Sequence, residues 1–192
     1  MDALKRSAVS FERLLKHEYR IVAGSKQTLL ELVLYFSKEH FMHLIGLHKL
    51  TDLQLQRYSK EKLYDMIMND ELTYEYLQKS EFFPEIEDRI ELFPLLETAL
   101  DSNDVMIKYK RGFSRGTLIS ATYIIVYEHK GEILHYFVDQ AMDTGKYFGR
   151  SFFSRKDNKF LKNQQTFKVL KKYKDDKVTG SSLTLCDKMI KQ

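Results

Sequence analysis

The spacing of apolar residues changes at Val105, and this change constrains the fold more than any other feature of the sequence. Before Val105, apolar residues recur largely at helical spacing, as Phe11, Leu14 and Leu15 do. From Val105 onward they alternate along the chain or form β-branched runs. Helices followed by strands with short turns are typical of an α+β fold.

We expect N-terminal helices with a hairpin, followed by an antiparallel β-sheet of about four strands. The hairpin would turn at Gly24-Ser25-Lys26, between strands 19–23 and 28–36. The sheet would be drawn from the segments 105–111, 117–127, 133–138, 150–154 and 166–170. We predict that residues 1–192 form a single α+β domain, with a polar, weakly ordered tail over 175–192.

Charge is strongly segregated along the chain. Residues 1–58 contain 9 Lys and Arg against 6 Asp and Glu, residues 59–104 contain 4 against 13, and residues 105–192 contain 18 against 8. The acidic middle segment is helical by content, and the basic final segment coincides with the predicted sheet. A basic surface on a sheet indicates a polyanionic partner.

Three of the six histidines lie in the segment 40–48. Ser37 can cap a short helix there and Gly46 can end it. Helical geometry then places the apolar residues on one stripe and His43 on nearly the opposite face. A metal site would need further ligands beyond His40, His43 and His48, and the neighbouring sequence offers no carboxylate set, so we expect no metal and no cofactor.

The basic segment interleaves cations with aromatic residues, a composition that suits RNA because cations neutralise phosphates and rings stack on unpaired bases. Core packing is the alternative for the aromatic residues Phe137, Phe152 and Phe153. The cations that we expect to bind nucleic acid are Lys108, Lys110, Arg111, Lys146, Lys156 and Lys159.

RNA can be cut without a metal if side chains supply a base, an acid and cations. The base takes the proton of the 2′-OH, the acid protonates the leaving 5′-oxygen, and the cations stabilise the phosphorane. A histidine titrates in the right range for proton transfer. The candidate catalytic residues are His43, Arg115, Arg150, Ser154 and Arg155.

Several function classes are disfavoured by what the sequence does not contain. It has no phosphate-binding glycine loop, no zinc-protease motif and no serine-hydrolase elbow. Its one cysteine, Cys186, excludes a disulfide framework within the chain. There is no apolar run of the roughly 18 residues that a membrane helix needs, and no leader is evident, so we expect a cytoplasmic protein of a bacterial or phage-infected cell.

Two motifs resemble a known group of nucleases. The segment Phe41-Met42-His43-Leu44-Ile45-Gly46-Leu47-His48 and the later segment Arg150-Ser151-Phe152-Phe153-Ser154-Arg155 are similar to the phage-associated branch of the barnase, EndoU, colicin and RelE-like (BECR) fold. The resemblance implies metal-independent ribonuclease activity in a toxin or mobile-element setting. It also implies RNA as substrate and a possible protein inhibitor or antitoxin, and it marks the segment 59–104 as an insertion-like elaboration.

Two alternatives remain open at the level of sequence. The chain could be a non-catalytic phage or mobile-element protein that binds nucleic acid or blocks a nucleic-acid-processing machine. The acidic segment 59–104 could also cover the basic sheet and restrain activity until a partner displaces it.

Overall fold

The computed structural model describes residues 1–26, 28–113 and 117–189. The strands, numbered in chain order, are β1 His17–Ser25, β2 Thr28–Leu34, β3 Val105–Lys108, β4 Tyr123–His129, β5 Glu132–Gln140, β6 Tyr147–Arg155, β7 Gln165–Asp176 and β8 Ser182–Asp187. The α-helices are α1 Ala3–Leu15, α2 Lys38–Leu44, α3 Lys60–Met68, α4 Tyr74–Leu77, α5 Glu87–Leu92 and α6 Leu96–Ser102. In these ranges, no helix has the length and apolar character that crossing a membrane requires.

Seven of the strands close into a barrel. They pair in the order β1-β2-β6-β5-β4-β3-β7, and β7 pairs back to β1, while β8 lies outside the ring against β7. The pairs are antiparallel except at the junction of β2 and β6, where Leu34 pairs in parallel with Tyr147. The Tyr35 N–H extends this junction by donating to the Tyr147 carbonyl at 2.9 Å.

The predicted fold, N-terminal helices with a hairpin and then a sheet of about four antiparallel strands, is wrong. The N-terminal hairpin forms as β1 and β2, but it joins the same barrel as the later strands. Closure depends on β7, whose 12 residues pair with β3 over 165–168 and with β1 over 168–176. Each strand pattern alone specifies which face is apolar, whereas the neighbours of a strand are set by long-range pairing.

Aromatic side chains join the helices to one another and to the barrel. The ring of Phe11 on α1 lies 5.3 Å from Phe41 on α2, 6.2 Å from Tyr64 on α3 and 5.8 Å from Phe93. Phe93 in turn meets Phe152 on β6 at 5.8 Å. Offset and edge-to-face contacts of this kind add to the free energy of burial, so this cluster fixes α1, α2 and α3 against β6.

Two glycines allow close approaches, one between α2 and β6 and the other between the end of α2 and α5. At Gly149 on β6, a Cβ atom would lie 2.4 Å from the Tyr136 hydroxyl and 2.8 Å from Cδ2 of Leu44 on α2. Gly46, which follows α2 with a φ of 83°, would place a Cβ 2.8 Å from Cγ2 of Ile86 and 3.2 Å from Cδ of Arg89. The left-handed turn predicted at Gly46 is confirmed; a larger residue at Gly149 would push α2 away from β6, and one at Gly46 would push α5 away from the end of α2.

The two segments that the sequence sets apart, 59–104 and 175–192, correspond to defined elements of the structure. The acidic segment 59–104 contains α3 to α6, and the tail 175–192 contains β8. The insertion-like origin of 59–104, the weak order of 175–192 and the single-domain assignment of 1–192 stay predictions.

Candidate active site

A polar cleft of about 840 Å³ opens between the helices and strand β6 where the two are not in contact. We call its two sides the helical wall and the strand wall. The helical wall consists of His43, His48, Lys49, Glu85, Asp88 and Arg89. The strand wall consists of Arg150, Ser151, Phe153, Ser154, Arg155, Lys159 and Phe160, and residues 117–120 form a rim.

His43 and His48 form a pair on the helical wall. His43 is half-buried on α2, and the turn at Gly46 brings the ring of His48 to 4.9 Å from the ring of His43, measured between centroids. Burial, together with the charges of Lys60 and Arg150, lowers the pKa of His43 below its ordinary value. Partial desolvation and the neighbouring His43 and Arg89 lower the pKa of His48 as well. Both rings are therefore neutral at pH 7 when the cleft holds no anion.

Arg89 is the cation of the helical wall that faces the cleft without a carboxylate partner. Within residues 1–26, 28–113 and 117–189, no carboxylate oxygen lies within 4.0 Å of its guanidinium. Its Nη1 donates to the Ser151 hydroxyl at 3.0 Å, and the guanidinium lies 5.1 Å from the ring of Phe153. Burial lowers the pKa of Arg89 to about 10, while Glu85 acts in the opposite direction. Arg89 thus stays positively charged at neutral pH.

The arginines of the strand wall are neutralised by carboxylates. Arg155 forms a two-point ion pair with Asp157, in which the Arg155 Nε lies 2.9 Å from Oδ1, and this hydrogen bond raises the pKa of Arg155. Arg150 lies 3.4 Å from the Asp139 carboxylate and 4.9 Å from the ring of Phe148. Both arginines must release or share a carboxylate before either binds a phosphate at full strength.

Two serine hydroxyls of β6 line the cleft. Ser151 is buried and accepts the hydrogen bond from Arg89. Ser154 is half-buried, and its hydroxyl makes no hydrogen bond to the described part of the chain. The Ser154 hydroxyl is therefore available to a ligand in the cleft.

The structure brings four of the five candidate catalytic residues together: His43, Arg150, Ser154 and Arg155 line the one cleft. Arg115 lies outside the described residues. His40 is buried and accepts a hydrogen bond at Nδ1 from the Ser37 N–H at 3.1 Å, while its ring stacks on Phe148 at 5.0 Å. His40 therefore stabilises the start of α2 and does not face the cleft.

The cations predicted to bind nucleic acid are distributed around the cleft. Lys159 lies on the strand wall, and Lys156 lies beside Arg155 with Glu132 at 3.8 Å. The Arg111 Nε donates to the carbonyl of Thr117 on the rim at 2.9 Å. Lys108 ends β3 and Lys110 follows it, paired through its backbone with the Gln164 side chain. Lys146 lies apart from the cleft, bonded to Glu18 at 2.7 Å.

Sequence reasoning missed Arg89 and undervalued His48. Arg89 is the one arginine of the acidic segment 59–104, and that isolation is the signal that could have found it. His48 was visible in the histidine-rich segment, but its contact with His43 depends on the turn at Gly46. Among the described residues, no group of three or more His, Cys, Asp or Glu is arranged to hold a metal ion.

A protein-family model described as phage-Barnase-EndoU-ColicinE5/D-RelE like nuclease4 matches residues 3–188. No curated protein and no solved structure matches the chain. The matched range includes both walls of the cleft and strands β1 to β8. It confirms the resemblance drawn from the segments around His43 and Arg150.

Proposed function

The chain belongs to the phage-Barnase-EndoU-ColicinE5/D-RelE like nuclease family, and from this premise we propose that it is a metal-independent ribonuclease that cuts RNA by attack of the 2′-OH. The cleft between the helical wall and the strand wall is its active site. The observation that carries the proposal is the His43–His48 pair, which opens onto the same cleft as Arg89. Two groups that transfer protons thus lie beside a cation that no carboxylate of the described residues neutralises.

The reaction needs one proton removed and one proton delivered. Neutral His43 takes the proton of the 2′-OH, the 2′-oxygen attacks phosphorus, and the bond from phosphorus to the 5′-oxygen breaks. A protonated His48 gives its proton to that leaving oxygen, and a 2′,3′-cyclic phosphate remains on the other fragment. An RNA phosphate in the cleft favours one proton on the histidine pair, because an anion favours the imidazolium form, and repulsion between the two rings then keeps the other ring neutral. This provides the proton on His48 that the unliganded cleft disfavours.

Negative charge develops on the phosphorane oxygens, and the cations of the cleft stabilise it. Arg89 serves this role most directly, with Arg150 and Arg155 from the strand wall. The Ser154 hydroxyl donates a hydrogen bond to the same oxygens. These side chains supply the base, the acid and the positive charge that the reaction requires, so no metal ion or cofactor takes part.

The remaining cations hold the RNA backbone on either side of the cleft. Lys156 and Lys159 extend the strand wall, and Arg111 reaches the rim through Thr117. Lys108 and Lys110 continue this surface along β3. Lys146 contributes least because Glu18 pairs with it, and Arg115 stays a prediction outside the described residues.

The family is described as a phage nuclease family, which favours a role in conflict between a phage or mobile element and its host. We propose that the chain acts as a toxin in the cytoplasm of a bacterial or phage-infected cell. A free ribonuclease in that compartment also destroys the RNA of the cell that makes it. A protein inhibitor or antitoxin that covers the cleft would restrain it.

The proposal is tested by incubating purified protein with RNA in EDTA. We expect cleavage, and we expect His43→Ala to slow it by about 10²- to 10⁴-fold, the usual contribution of one general acid or base. His129→Ala, at the end of β4 and outside both walls, is the control and should cut at the wild-type rate. RNA that stays intact with the wild type contradicts the proposal. Salt-dependent binding without turnover would instead support the non-catalytic alternative.

A further inference from the structure

A second cavity lies behind the histidine pair. It has a volume of about 300 Å³, and His43 and His48 line it as well as the polar cleft. Its apolar lining comes from Met42, Leu47, Leu50, Leu55 and Leu63. The two imidazoles are therefore the shared boundary between a cationic cleft and an apolar pocket.

The pocket has the size and chemistry for one small planar ring system. Its volume is at the low end of the roughly 300–1,000 Å³ typical of small-molecule sites. Four further polar side chains line it, namely Gln56, Tyr58, Ser59 and Lys60, and of these the Gln56 amide and the Tyr58 hydroxyl make no hydrogen bond to the described residues. Gln56 is exposed and Tyr58 is half-buried. An amide and a phenol beside leucine side chains can read the polar edge of a base while its faces pack against apolar atoms.

We propose that this pocket binds one unpaired base of the RNA, on a nucleotide directly adjoining the phosphate that is cut. This inference rests on the proposed ribonuclease function, since it assumes that the scissile phosphate lies at His43 and His48. A nucleotide whose phosphate meets the two rings from the cleft can then place its base against them from the pocket, because both rings line both cavities. The enzyme would consequently require single-stranded RNA and would select the base at one position beside the cut.

The pocket can be tested by binding, without reference to catalysis. The probes are the four nucleoside 3′-monophosphates and inorganic phosphate, titrated into the wild-type protein, which cannot cut them because they have no 5′-linked leaving group. We expect at least one nucleotide to bind about tenfold or more tightly than phosphate, because stacking of one base contributes that much. The methyl NMR signals of Leu47, Leu55 and Leu63 should shift with nucleotide and stay in place with phosphate.

A substitution at the mouth of the pocket provides the matched comparison. Gln56→Trp adds a bulky ring at an exposed position, so it should block the pocket without disturbing the core, and it should remove the preference for nucleotide over phosphate. Thr51→Trp adds the same ring at an exposed position of a neighbouring short helix that does not line the pocket, and it should leave that preference unchanged. Equal binding of nucleotide and phosphate by the wild-type pocket, or by all variants, overturns the inference.

Cleavage of oligonucleotides with one abasic ribonucleotide separates this inference from the proposed function. We expect loss of the base on one side of the cut to lower kcat/KM by about tenfold or more, and loss on the other side to have a smaller effect. Cleavage that ignores both abasic sites overturns the base pocket but leaves the ribonuclease standing. Nucleotide binding with leucine methyl shifts in a protein that cuts no RNA supports the pocket and overturns the ribonuclease.

Discussion

The two walls of the cleft differ in whether their arginines are paired with carboxylates. The helical wall belongs in part to the acidic segment 59–104, yet it presents Arg89, which has no carboxylate within 4.0 Å in the described part of the chain. The strand wall belongs to the basic segment 105–192, yet Asp139 and Asp157 neutralise Arg150 and Arg155. The net charge of a segment therefore gives little guide to which of its cations can bind a phosphate.

The two walls also differ in the chemistry that their side chains can perform: the helical wall can transfer protons, and the strand wall can position groups. His43 and His48 on the helical wall are neutral rings with lowered pKa values, and they share the cleft with Arg89, which has no carboxylate partner among the described residues. The strand wall offers hydroxyls and paired arginines, of which Ser151 holds Arg89 in place by a 3.0 Å hydrogen bond. We infer that the helical wall performs the chemistry and that the strand wall orients the substrate and Arg89.

The largest expected effect is on the cleavage rate, and it distinguishes Arg89 of the helical wall from Arg155 of the strand wall. Arg89→Ala should lower the single-turnover rate by about 10²- to 10³-fold, as the loss of one donor to a developing oxyanion does. Arg155→Ala should cost less than about tenfold, because its carboxylate-paired and partly exposed guanidinium contributes weakly. Single-turnover rates on a short RNA at saturating enzyme measure both effects. Thermal unfolding of each variant and the conservative variant Arg89→Lys check that the protein still folds. An effect of Arg155→Ala equal to or larger than that of Arg89→Ala would reverse the roles of the walls.

The converse substitution releases the cation of the strand wall. Asp157→Asn should free Arg155 for phosphate, so RNA should bind more tightly at low salt. The slope of log affinity against log salt should steepen by about 0.7, the value for one added phosphate contact on a single strand. Asp143→Asn removes the same charge outside the cleft and is the control. An unchanged slope in Asp157→Asn would show that the ion pair does not limit phosphate binding.

The smallest expected effect is a shift of the pH profile. Lys60 lowers the pKa of His43, so Lys60→Gln should raise that pKa. Because His43 must be neutral to act as a base, kcat/KM falls as pH drops through this pKa, and the acidic limb should move to higher pH in the variant. Lys62→Gln, two positions along α3 and near Glu71, should leave the limb in place. NMR titration of His43 in both variants checks the assignment, and a limb that moves to lower pH would contradict the role of His43 as base.

Local features of the site could be predicted from sequence because they depend on a few adjacent residues. Ser37 and Gly46 bound α2 as expected, and His43 faces away from the apolar stripe of that helix. The barrel could not be predicted, since it requires β7 to pair with β1 across roughly 150 residues of chain, and strand patterns do not specify partners. The isolation of Arg89 in the acidic segment could have marked it as a candidate, but its role could not be assigned, because its place in the cleft depends on contacts with Ser151 and Phe153.

One strand prediction failed at a place that matters for the site. The segment 117–127 was expected to be one strand, but β4 begins only at Tyr123. Residues 117–120 instead form the rim of the cleft, and Leu118 is 90% exposed there. β-branched composition indicates a strand, but it does not show where the pairing partner begins, and here β3 pairs with β4 only from Tyr123 onward.

The products formed from a DNA oligonucleotide that contains one ribonucleotide, incubated in EDTA, test the proposed chemistry most directly. Attack by the 2′-OH can occur only at that ribose. We expect a single cut on its 3′ side that leaves a 2′,3′-cyclic phosphate and a free 5′-OH, and we expect no cut in His43→Ala. Cleavage elsewhere in the DNA, a product with a 5′-phosphate, or activity that appears only when a divalent metal is added would contradict it.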